Sequence, residues 1–147
     1  MSPTSHWGVS PQQSIEAEAD RRGKATFVAE CIALLRGEDA DAALVFALGG
    51  PAADRVLAGR ADERLAYWLR VWAARGLFWA WDAAATDAVV AALSDDAWRV
   101  REMACRVIAK HQVAEAFDEV GSLRTDAVKR VRVAASRAVA VLTEIGA

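Results

Sequence analysis

The segment Leu69-Arg70-Val71-Trp72-Ala73-Ala74-Arg75 returns as Val100-Arg101-Glu102-Met103-Ala104-Cys105-Arg106, and again as Val131-Arg132-Val133-Ala134-Ala135-Ser136-Arg137. Successive copies lie 31 residues apart. Each reads aliphatic, Arg, any residue, apolar, Ala, any residue, Arg. The register continues through Gly76, Val107 and Ala138, then Leu77, Ile108 and Val139. Apolar residues at i, i+3, i+4, i+7 and i+8 form one buried face of an α-helix. The Ala at i+4 lets a neighbouring helix approach closely. A shorter amphipathic stretch precedes two of the copies, at 88–93 and 117–123. The repeating unit is therefore a helical hairpin of about thirty residues, which hides its apolar face only by stacking on its like.

The rest of the chain agrees with an all-α reading. Its 147 residues suggest one domain, and 54% hydrophobic against 26% charged residues excludes disorder over most of it. Roughly a quarter of the residues are Ala, the best helix former, and no sustained period-2 alternation occurs. Helices are expected near 11–22, 24–36, 40–48, 52–59, 62–81, 84–94, 97–111, 113–123 and 127–144. The breaks carry turn chemistry: Ser10-Pro11, Gly23, Gly37-Glu38-Asp39, Gly49-Gly50-Pro51, Gly59, Asp95-Asp96 and Thr125-Asp126. The expected organisation is a disordered tail over 1–10 and one domain over 11–147. Within it, 11–51 is a degenerate repeat or cap, followed by repeats at 52–82, 83–112 and 113–147.

The pairs Asp95…Val100-Arg101…Ala104 and Asp126…Val131-Arg132…Ala135 carry a family resemblance. These units resemble HEAT repeats, in particular the short type also found in phycobilisome-lyase-like proteins. The resemblance covers 84–145 clearly, 52–83 fairly and 11–51 weakly. It implies a right-handed α-α superhelix, a solenoid of antiparallel hairpins, in which the turn Asp and the following Arg hydrogen-bond within or between units. The first copy departs from the pattern, since Arg64 stands at the matching Asp position, with Asp62 and Glu63 as substitutes. An ordinary Ala-rich helix bundle is the competing architecture.

If the second helix of each hairpin lines the concave side, the 31-residue offset sets three outward columns. These are Trp68, Arg99 and Arg130; Arg75, Arg106 and Arg137; and Trp79, Lys110 and Val141. Trp68, Trp72, Arg75 and Trp79 share one stripe of a single helix. Net charge is −2, yet residues 97–147 hold nine basic against six acidic residues. A basic strip with a Trp-rich lip suits an acidic protein or peptide, or a nucleic-acid backbone. The expected partner-binding residues are thus Trp68, Trp72, Arg75, Trp79, Arg99, Arg106, Lys110, Arg130 and Arg137. Arg70, Arg101 and Arg132 read as structural, bonding turn Asp residues and helix ends. The Trp cluster at 68, 72, 79 and 81 also reads as inter-repeat filler.

No constellation asks for chemistry. His6 falls in the tail and His111 at a helix end, with no second ligand at metal spacing. Gly49-Gly50-Pro51 lacks the Lys-Ser/Thr of a phosphate loop. Cys31 and Cys105 lie in apolar stretches and read as inert. No cofactor is expected. No stretch is long enough to cross a membrane and none reads as a signal peptide, so the expected compartment is the cytoplasm. The expected function is a non-catalytic interaction or scaffold module. The alternative is a nucleic-acid binder related to HEAT-like alkylpurine DNA glycosylases, whose basic, Trp-lined concave surface Trp68, Trp72, Trp79 and Arg75 resemble. A lyase-like role follows from fold analogy alone. A second copy of the chain is a further candidate partner.

Overall fold

The computed structural model describes residues 8–146. Most of the expected tail, with His6, lies outside them. The described chain is all-helical, with no strand.

Local chemistry starts and stops the helices. In α1 (Pro11–Arg22) the Ser10 hydroxyl accepts from Gln13 N–H and the Gln13 side chain accepts from Ser10 N–H, a reciprocal cap with Pro in the first turn. Gly23, at φ +88°, turns the chain directly into α2 (Lys24–Leu35). Asp41 caps α3 (Ala42–Gly49), and a 3₁₀ turn at Gly50–Ala52 leads to α4 (Ala53–Ala58). Asp62 caps the long α5 (Glu63–Trp79). A 3₁₀ turn at Ala83–Ala85 opens α6 (Thr86–Ala92), and α7 spans Trp98–His111. The short α8 (Phe117–Ser122) lies between two further 3₁₀ turns, and α9 (Lys129–Gly146) follows.

The three repeated heptapeptides fall on α5, α7 and α9, which pack as successive neighbours with α7 in the middle. α6 packs on α7 and α8 on α9. The apolar face holds as expected: Ala73, Ala104 and Ala135 are fully buried, as are Val100, Val131, Leu77 and Ile108. Each buried methylene contributes about 0.8 kcal/mol.

The same ion pair recurs between neighbours. Arg70 of α5 donates through Nε and Nη2 to Asp95, before α7, and Arg101 of α7 donates through the same atoms to Asp126, before α9. Each Asp also accepts a backbone N–H two residues on, from Ala97 or Val128. Nη1 of Arg101 and of Arg132 donates to two carbonyls of its own preceding turn. Arg70 instead uses Glu63, and Asp62 accepts the Arg64 N–H, so the two residues expected to substitute where Arg64 replaces Asp divide the role between them. The structural reading of these three Arg residues holds.

The N-terminal third is built differently. α1 packs on α2 and α3, and both α2 and α3 pack on α5. α2 lies along α5 and reaches the turn before α6, so α5 has α2 beside it as well as the six-residue α4. This crossing needs Gly76, because a Cβ there would sit 2.8 Å from both Cys31 Sγ and Leu48 Cδ2. Arg22 ties the three N-terminal helices together, pairing with Glu18 on α1, Glu30 on α2 at 3.0 Å and the cap Asp41 at 2.8 Å.

Candidate partner-binding face

The outward sides of α5 and α7 carry most of the residues singled out above. Because consecutive units advance by 31 residues and the helices run side by side, a cation on α7 meets an aromatic ring on α5. The Arg99 guanidinium lies 5.2 Å over the Trp68 ring and 4.4 Å over Trp98, and its Nη1 donates to the Tyr67 hydroxyl at 3.3 Å. Lys110 Nζ lies 4.7 Å over Trp79 and 4.8 Å over Phe78. Arg106 lies 5.5 Å over Phe78, with Nη1 3.9 Å from Met103 Sδ. Arg130 of α9 lies 5.2 Å over Trp98 and pairs with Glu102 at 3.0 Å. A cation held on a ring face keeps its full charge, and a guanidinium there keeps its N–H edge for an in-plane carboxylate.

The columns of Trp68 with Arg99, and of Trp79 with Lys110, are thus direct contacts. The middle column differs. Arg75 is half-buried and turned inward, donating to the Leu48 carbonyl at the end of α3, and burial pushes its pKa down. Arg106 stacks on Phe78 rather than beside Arg75. Arg137 is exposed. Trp72 also differs from a docking residue: it is 5% exposed, its ring lying against Gly49, where a Cβ would come within 2.4 Å. The end of α3, packed on α5, claims both side chains for the scaffold.

No protein-family model matches the chain, and no curated protein or solved structure is similar to it. The face is therefore read from its own chemistry. Arg99, Arg106, Lys110 and Arg137 make no ion pair among the described residues, whereas Arg22, Arg64, Arg70, Arg101 and Arg130 all do. Two clefts run along the α5 stripe. One of about 260 Å³ is lined by Gly49, Arg55, Trp68, Trp72 and Arg75. The other, about 360 Å³, has Phe78, Trp79, Met103 and Arg106, and again Arg75. In both, every charged lining residue is basic.

The expected site left out three aromatic residues that hold the cations: Phe78 and Trp98 by their rings and Tyr67 by its hydroxyl. The signal for Trp98 was present, since it stands 31 residues after Tyr67 beside a cation in the first outward column.

Burial pushes the Cys105 thiol up to about 12, and the Cys31 thiol higher still. His111 donates from Nε2 to the Leu77 and Phe78 carbonyls at 3.1 and 3.0 Å, closing the end of α5, and stacks on Trp81 at 4.7 Å. Burial lowers its pKa below 6.5, with Lys110 and Lys24 adding to the effect against the two carbonyls. Among the described residues no group of three His, Cys, Asp or Glu could hold a metal, and no helix is long and apolar enough to cross a membrane.

Proposed function

We propose that the chain is a non-catalytic, HEAT-like solenoid module of the cytoplasm that binds an acidic protein segment through the outer sides of α5, α7 and α9. One observation carries the reading. Three cations of α7, namely Arg99, Arg106 and Lys110, lie on aromatic rings of α5 and make no ion pair among the described residues. Ring contacts of this kind contribute about 0.5–2 kcal/mol and order long side chains in advance, so less entropy is lost when a carboxylate arrives. The solenoid is supported by the side-by-side packing of α5, α7 and α9 and by an Arg–Asp pair that recurs between units.

The test is titration of a Glu-rich peptide against tryptophan fluorescence. Saturable binding that weakens at least tenfold in Arg106→Glu/Arg137→Glu, with thermal unfolding lowered by no more than the lost Phe78 contact accounts for, supports the reading. No binding at low salt overturns it. Tight duplex DNA binding with a steep salt slope, and none to the peptide, transfers the face to nucleic acid.

A further inference from the structure

We infer that the cleft between the start of α1, α5 and α7 seats an aromatic side chain of the acidic partner, next to a carboxylate held by Arg106. The inference rests on the proposed function and names what the partner must present. The cleft measures about 360 Å³ and is lined by Pro11, Arg75, Phe78, Trp79, Met103 and Arg106, among others. That is the low end of the ~300–1,000 Å³ usual for ligand pockets, a size for one side chain rather than a cofactor.

Its chemistry is two-sided. Phe78 and Trp79 meet edge to face at 4.7 Å, and Met103 lines the same cleft. An aromatic ring entering here gains further edge or offset contacts and a sulfur contact. Above the same rings lie two cations. Arg106 is exposed and stacked on Phe78, and Lys110 stands over both Phe78 and Trp79. Neither has a carboxylate partner among the described residues, and no acidic residue lines the cleft. A purely apolar occupant would leave these charges unanswered. A purely acidic one would leave the rings wet. An aromatic residue flanked by Asp or Glu satisfies both, and the second basic cleft across Arg75 lets the acidic segment continue along α5.

The experiment uses two Glu-rich peptides of equal length and charge, one with a central Phe and one with Ala there. The chain has two Met residues, so a spectrum of ¹³C-methyl-methionine protein reports Met103 against Met1. The Phe peptide is expected to bind at least about tenfold tighter, the discrimination a good apolar pocket gives, and to shift the Met103 methyl signal. Gln12→Trp, placed at the exposed mouth, is expected to remove the preference while leaving the Ala peptide unaffected. Equal affinities with an unmoved Met103 signal overturn the inference while leaving the proposed function standing. Binding of neither peptide overturns both.

Discussion

Arg101 on α7 and Asp126 before α9 form a two-point ion pair, Nε to Oδ1 at 3.0 Å and Nη2 to Oδ2 at 3.2 Å, while the same carboxylate accepts the Val128 N–H. One aspartate thus fixes the start of a helix and its attachment to the previous unit. Both side chains are mostly buried, at 16% and 9% exposure, so losing one partner strands the other.

Arg101 and Arg132, equivalent in the repeat, are expected to differ in worth. Arg101→Ala strands Asp126 and is expected to cost about 2 kcal/mol, below the 3–5 of a fully buried pair. Arg132→Ala loses two bonds to carbonyls of its own turn but no carboxylate among the described residues, and is expected to cost about 1 kcal/mol. Urea unfolding of the two variants measures the gap, and equal losses would show that the inter-unit pair adds nothing.

Two glycines are held by neighbouring atoms rather than by backbone angle. Gly76→Ala drives a methyl into Cys31 and Leu48, and Gly49→Ala drives one into the Trp72 ring. Each is expected to cost about 1–3 kcal/mol through overpacking, despite the gain of up to ~1 kcal/mol in helix propensity. A thermal melt that rises for either variant would contradict the close approach.

Acid should act in two stages. His111 titrates below its ordinary 6.5 in the folded chain. The unfolded chain therefore takes up its proton first, so stability is full above 6.5 and declines as pH falls below it. His111→Gln is expected to flatten that decline between pH 7 and 5. Burial raises the Asp126 carboxyl, but the Arg101 hydrogen bond, the Val128 N–H and nearby guanidinium charge outweigh it and hold it below 3.8. Its contribution is present above 3.8 and fades as pH falls toward the folded value. Denaturant midpoints across pH 3 to 8, in both wild type and Asp126→Asn, check the second stage.

Neither thiol should react while the chain is folded. Cys31 and Cys105 are both fully buried, and both resist ionisation. Titration with a thiol-reactive disulfide at pH 8 is expected to count no thiols in native protein and two in denaturant. A fast native reaction would reveal local opening, of the α2–α5 contact for Cys31 or of the packing around α7 for Cys105.

Helix limits were legible because this chain marks them with side chains that act locally. Ser10 caps as read, Asp62 caps in place of the missing Asp, and Gly23 and Gly49-Gly50 stop helices where expected; Asp41, expected inside a helix over 40–48, instead caps one that starts at Ala42. The repeat also located α5, α7 and α9 and the structural role of Arg70, Arg101 and Arg132. What escaped depends on contacts distant along the chain. No local pattern says that α2 lies along α5, or that the Leu48 carbonyl draws in Arg75 from 27 residues away. The offset aligned backbone positions, which is why Arg99 and Lys110 were matched to Trp68 and Trp79. It could not assign rotamers, so Arg106 was paired with Arg75 when its guanidinium rests on Phe78.

The spacing of the Arg–Asp pairs sets how this molecule can grow. The partners stand 25 residues apart in both pairs, less than one 31-residue unit, so each latch is carried within a single period. A gene in which codons 96–126 were duplicated would encode a chain whose extra latch closes on itself and whose original ones are undisturbed. The added seam would thus be fastened by residues it brings with it, whereas the ring contacts would not be copied: the new Arg99 and Lys110 would face the original Arg99 and Lys110 instead of Trp68 and Trp79.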